Sequence, residues 1–273
     1  MTEISSDVTR AIGAQYDSLQ SSLEAAGMPR KYLNYGYWTS PGQSFDDASA
    51  ALCMEVYRTA EIEPDHVLID VGFGSGEQTL LLASSCRFRH LTGFNISANQ
   101  VRYATRRAAE LDLEQKLTYR HGEAESLPGV SPCSIDRLMA IECAFYFDRP
   151  RFYRRAAEVL KPGGRAVVAD ISLAGWLLFL SRFREDFRRI GTRRRNQHAW
   201  ELHLKTCVIR DINPQTRMGV QRNVFEILRL ATFSRITWSQ RFEWFKMAFY
   251  TQLVAIGQWL RMVHYDMIVL EKT

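Results

Sequence analysis

No stretch of this chain approaches the roughly 20 apolar residues that a membrane span requires. The longest apolar knot runs only from Leu173 to Leu180. Cysteine is scarce. The five residues, Cys53, Cys86, Cys133, Cys143 and Cys207, are odd in number, scattered, and include no Cys-x-x-Cys pair. That pattern argues against a disulfide framework or a structural zinc and for reduced thiols, so a cytoplasmic location is expected. The first thirty residues mix charges with apolar residues and lack a continuous apolar core, which points away from a secretory leader. Gly-Lys-Ser/Thr is absent, so there is no P-loop. No cluster of His, Cys and Asp has ligand spacing, and no metal is expected. Internal repeats and low-complexity tracts are also missing.

One-signed charge is lacking almost everywhere. The net charge is +5, and residues 182–195, with seven arginines against Glu185 and Asp186, account for all of it. A surface built to grip a nucleic acid backbone spreads basic residues more widely, so no nucleic acid partner is expected. The arginine segment has three readings: a solvated helix face, a site for an acidic or phosphorylated acceptor, or a peripheral membrane contact near 176–195, where Trp176 to Phe183 is apolar and aromatic.

What is present is an α/β alternation. A helix is expected near residues 5–26, followed by the aromatic loop Tyr32-Leu-Asn-Tyr-Gly-Tyr-Trp38. A second helix is expected over about 45–60, where Ala48, Leu52, Val56 and Ala60 share a face. Five apolar runs then read as strands: 67–71, 90–94, 117–121, 135–141 and 165–170. Helices lie between them, one opening at Ser97 with Gln100 three residues on, a capping-box spacing. Another, at 149–160, stops before Pro162-Gly-Gly164. Two more strands are expected at 235–240 and 263–270. The fold class is α/β, a doubly wound, mostly parallel, seven-stranded sheet. Four parts are expected: N-terminal helices and aromatic loop capping the active site (1–62), a cofactor-binding core (63–172), a helical lid (173–230), and the last strands with an aromatic helix (231–273).

The strongest chemical signal is Asp70-Val-Gly-Phe-Gly-Ser-Gly76, directly after the first strand. Such a turn lies at the carboxyl ends of the strands, where open α/β sheets bind ligands. A dinucleotide fingerprint needs its third glycine one residue later and an acid at the end of the second strand. Here Glu77 and Asn95 stand in those places, which counts against a nicotinamide cofactor.

With Gly93-Phe-Asn-Ile-Ser97, Gly122-Glu-Ala-Glu-Ser-Leu-Pro128, Ala140-Ile-Glu142 and Leu160-Lys-Pro-Gly-Gly-Arg165 following in order, residues 65–172 resemble the class I S-adenosylmethionine-dependent methyltransferases. The aromatic loop and late helices resemble the branch acting on natural products, sterols and lipids. The resemblance implies a Rossmann-like methyltransferase fold with S-adenosylmethionine as cofactor and S-adenosylhomocysteine as product. It implies that Gly72, Gly74 and Gly76 contact the methionine part, with Asp70 orienting their loop. Glu123 and Ala124 meet the adenine, Ile96 packs on it, and the Ile141 carbonyl faces the cofactor's amino group. Asn95 departs from the acid that commonly holds the ribose diol. Gln100 is either a helix cap or a cofactor contact, and Tyr16, with Tyr32, Tyr35 and Tyr37, closes over the cofactor.

The expected reaction is methyl transfer to oxygen or carbon of a small, largely apolar or aromatic metabolite such as a terpenoid, polyketide or phenolic lipid. Nitrogen transfer, or a repurposed cofactor-binding protein or cyclase, is the alternative. Ile-Glu-Cys-Ala stands where base-amino methyltransferases carry Asn/Asp-Pro-Pro-Tyr. The family often places a histidine after the fourth strand, but Glu142-Cys-Ala-Phe-Tyr-Phe147 has none. Tyr146 and Glu142 are therefore the candidate catalytic residues, with His198, His203 and His264 as remote alternatives. Homo-oligomerisation is left open.

Overall fold

A computed structural model describes residue 13 and residues 31–177, 185–232 and 238–273. Apart from residue 13, the helix expected at 5–26, with Tyr16 in it, and residues 178–180 of the apolar knot lie outside the described residues.

Helix α1 (Phe45–Thr59) starts at Ser44, whose hydroxyl accepts from the Asp47 amide. It buries Ala48, Leu52, Cys53, Val56 and Tyr57 against the sheet. The sheet begins with β1 (Val67–Val71) and continues through α2 (Glu77–Ser85), β2 (His90–Asn95), α3 (Ala98–Glu110), β3 (Leu117–His121) and β4 (Ile135–Ile141). A short 3₁₀ turn (Ala144–Tyr146) leads into α4 (Arg149–Val159) and β5 (Leu160–Leu173). Each of the five strands covers its expected position. β5 is longer at both ends and takes in Pro162-Gly-Gly164.

After β5 come α5 (Glu185–Ile190), α6 (Arg193–Glu201), β6 (Lys205–Asp211), α7 (Asn213–Ala231), α8 (Trp238–Trp259) and β7 (Val263–Glu271). The seven strands lie in the order β3-β2-β1-β4-β5-β7-β6, with β7 antiparallel to both β5 and β6. The strand expected at 235–240 is not the sixth. Residues 238–240 open α8, residues 235–237 lie outside the described residues, and the sixth strand falls at 205–211, inside the segment expected to be helical. The physical reason is position. β6 is a sheet edge, largely exposed on both faces, so Lys205 to Asp211 carries only the short apolar run Cys207-Val-Ile209 between polar residues.

Strand order reverses between β1, which continues to β2, and β4, which continues to β5. The crevice outside the carboxyl ends at that switch is where ligands sit in this architecture. Among the described residues no helix is long and apolar enough to cross a membrane.

Candidate functional site

A cavity of about 940 Å³, its open mouth included, occupies this crevice. Its floor is the turn after β1. Gly72, Gly74 and Gly76 all have positive φ, 68°, 60° and 88°, a region open to glycine without steric cost. They differ in what surrounds them. A Cβ on Gly74 would meet only Leu33 Cδ1 at 3.9 Å, whereas one on Gly76 would strike Ala104 Cβ of α3 at 2.6 Å. Gly72 and Gly74 line the cavity; Gly76 does not. Gly76 instead lets α3 pack closely behind the turn.

Asp70 is fully buried behind the same turn and also stays off the cavity wall. Gln78 Nε2 donates to its Oδ2 at 2.7 Å, and Oδ1 is buried without a hydrogen-bond partner. Burial pushes the carboxyl up to about 7, the Gln78 bond working the other way.

The end of β2 supplies Asn95, Ile96 and, from α3, Gln100, all on the cavity wall. Asn95 is already engaged. Its Nδ2 donates to Gln100 Oε1 at 2.8 Å and Gly74 O at 3.3 Å, and its Oδ1 accepts from the Ser97 amide. Capping falls to Ser97, whose hydroxyl accepts from the Gln100 amide at 3.0 Å. The Gln100 side chain is thus no cap: Asn95 holds its oxygen, and Nε2 is buried with no partner. A buried amide left unsatisfied costs about 1–3 kcal/mol. This donor, on a residue that lines the cavity, and the open face of Gly74 together fit a polar ligand with hydroxyl groups.

Ala124 lines the opposite wall, but the neighbouring acid on it is Glu125 rather than Glu123, which is half-buried outside the lining. Glu125 accepts the backbone N–H of Asp148, the residue that caps α4, and burial raises its carboxyl. The Gly-Glu-Ala-Glu run offers two acids two residues apart, and only the tertiary turn decides which faces inward.

Ile141, Glu142 and Tyr146 also line the cavity. Glu142 has φ 51°, and its Oε1 accepts the Tyr35 N–H at 2.8 Å and the Tyr265 hydroxyl of β7. Glu142 therefore ties the aromatic loop and the sheet to the cavity. Tyr32, Leu33 and Asn34 line the mouth, while Tyr35 and Tyr37 do not. The loop is pinned from outside too: Trp38 N donates to Gln215 O of α7 at 2.9 Å, and the Arg222 guanidinium stacks over the Trp38 ring at 4.4 Å. No histidine is among the residues lining the cavity.

Residues 69–168 match the model of the methyltransferase domain family. Over that stretch, from β1 into β5, the chain is similar to this family. Relatives include methyltransferase GfsG of Streptomyces halstedii, 33% identical over 62% of this chain and 60% of its own length. Erythromycin 3''-O-methyltransferase of Saccharopolyspora erythraea is 30% identical over 51% of this chain and 46% of its own length. The chain thus matches about half to three-fifths of the length of these relatives. Among solved structures, the [4+2]-cyclase SpnF aligns with a TM-score of 0.80 at 21% identity, covering 96% of this chain and 94% of that one. Geranyl diphosphate C-methyltransferase from Streptomyces coelicolor A3(2) aligns with a TM-score of 0.74 at 18% identity and full coverage of both. At these identities the structural likeness speaks to the fold.

Proposed function

We propose that this chain binds S-adenosylmethionine in the cavity and transfers its methyl group to oxygen or carbon of a small, largely apolar or aromatic metabolite, of terpenoid, polyketide or phenolic-lipid type. One observation carries the reading: the unpartnered Gln100 Nε2 and the open backbone face of Gly74 meet on one cavity at the switch point. When bound, S-adenosylmethionine supplies a methyl group already activated by a sulfonium charge. The chain's own work is to bind, align and exclude water.

In this reading Gly72 and Gly74 hold the methionine part through their backbone, and Asp70 braces the turn from behind. Gln100 donates to the ribose hydroxyls and Asn95 orients Gln100. Ile96 and Ala124 flank the adenine, with Glu125 rather than Glu123 the acid on that wall. The Ile141 carbonyl meets the amino group. Tyr146 is the residue to relay an acceptor proton to solvent, releasing its own phenolic proton as it receives one, and Glu142 is a positioning residue for the loop above it. Among the described residues, the aromatic loop and α1, with the helices after β5, cover the acceptor.

The acceptor is assigned to the apolar class because Tyr32, Leu33, Tyr146 and Phe147 line the cavity, which favours rings and alkyl chains. A second reading has a specific support. No histidine lines the cavity, and the nearby Glu142 oxygen already accepts two hydrogen bonds. A repurposed cofactor-binding protein, or a cyclase of this fold, needs no such base.

Native mass spectrometry with S-adenosylmethionine and S-adenosylhomocysteine tests the cofactor site. Binding of either is expected, and a folded protein that binds neither would overturn the reading. Transfer of a labelled methyl group to hydroxylated polyketide or phenolic acceptors then separates the enzyme from the repurposed protein.

A further inference from the structure

The outer face of α8 is open to solvent in a way that neither the cavity nor the sheet explains. Trp238, Phe242, Phe245, Phe249, Ile256 and Trp259 are each between 44% and 84% exposed. They follow one another in alternating steps of four and three residues, with exposed Gln252 filling the one remaining step. The inner face, carrying Trp244, Ala248 and Ala255, is buried, and α8 packs there against α7. The helix therefore has two apolar faces, only one of which the fold uses.

We propose that this outer face pairs with the same face of a second copy of the chain, forming a two-fold dimer. Three observations favour a second copy. First, the spacing is a heptad seam sustained over three repeats, which is the pattern that meshes with another helix of like period. A two-fold interface is self-complementary, so one stripe serves both sides. Second, the area suffices. Five aromatic rings of about 150–250 Å² each, 46% to 84% exposed, present roughly 500–800 Å². Leu253 and Leu260 lie beside them, 42% and 50% exposed. A stable interface takes about 800 Å² per partner, while monomers rarely expose contiguous patches beyond a few hundred Å².

Third, the charge is wrong for a lipid surface. Interfacial helices carry a strongly basic polar face, but Arg241, Glu243 and Lys246 are the only charged residues of α8. Charge depletion with aromatic enrichment is what marks the centre of a protein interface. Gln252, the single polar step in the seam, satisfies its amide only in one register and so fixes the alignment.

Sedimentation velocity of the full chain across a wide concentration range tests the dimer. Wild type is expected to dimerise. Phe249→Glu is expected to weaken it at least about thirtyfold, with circular dichroism unchanged because Phe249 is on the surface. Trp259→Ser should act in the same direction. Gln252→Leu is expected to tighten the closed dimer about tenfold by completing the seam. A wild type that stays monomeric, a dimer that Phe249→Glu and Trp259→Ser leave intact, or open-ended aggregation of Gln252→Leu would each overturn the proposal. A monomer that floats with phosphatidylserine-containing vesicles, and loses this in Phe249→Glu, would assign the face to lipid instead.

Discussion

Gly74 and Gly76 stand two residues apart in the same turn, both with positive φ, and the space around them separates binding from stability. At Gly74 a side chain would enter the cavity. Gly74→Arg is expected to weaken S-adenosylmethionine binding about a hundredfold or more by calorimetry, with a smaller effect on the urea midpoint. Gly76→Ala drives a methyl into Ala104 of α3 and is expected to cost about 1–3 kcal/mol of stability from overpacking. Asp70 adds a pH dependence. Its folded carboxyl sits at about 7 against an ordinary 3.8, so the folded state holds this proton more tightly than the unfolded chain. Its contribution to stability is therefore fully present below about pH 4, falls as pH rises toward 7, and then levels off. Asp70→Asn is expected to flatten the urea midpoint across that window, and an unchanged slope would show that Asp70 does not set it.

At the scale of elements, the aromatic loop is held from two directions, and each hold is separately testable. From the sheet, Glu142 accepts from Tyr35 and Tyr265. Glu142→Ala is expected to cost about 1.5–3 kcal/mol, the usual worth of a hydrogen bond to a charged group. Glu142→Gln, which keeps an acceptor oxygen, should cost less. Equal losses in the two variants would mean that packing alone holds the loop. From the helical side, a Cβ on Gly219 of α7 would lie 1.6 Å from the Tyr35 carbonyl oxygen. Gly219→Ala therefore must displace α7 from the loop. Faster proteolysis within residues 31–44 is the expected readout.

For the whole molecule, a buried ion pair joins the start of α4 to β5. Arg149 Nη2 donates to Asp170 Oδ2 at 2.6 Å, and both side chains are nearly inaccessible. Burial still pushes Asp170 up to about 6, with Arg149 opposing. Removing one partner strands the other charge. Arg149→Ala is expected to cost about 3–5 kcal/mol, and the Arg149→Ala/Asp170→Ala double variant less than the sum. Full additivity in that cycle would deny the coupling.

The sequence by itself determined the alternation of strands and helices, the glycine turn and the doubly wound class. These rest on local chemistry: apolar runs such as Val67–Val71, the Ser97 cap, and glycines where the chain turns sharply. Tertiary structure alone decided the rest. Strand β6 was illegible because an edge strand buries neither face, so its residues carry no apolar period. The Gly-Glu-Ala-Glu run could not say that Glu125 would face the cavity, since side-chain direction in a loop follows the fold. The single change from acid to amide at Asn95 gave no hint that Gln100 would be left with the free donor. Nor could Glu142 be seen as the tie between Tyr35 and Tyr265, 107 and 123 residues away. Hydrogen bonds over such separations are set by how the elements pack, and no local pattern in the chain records them.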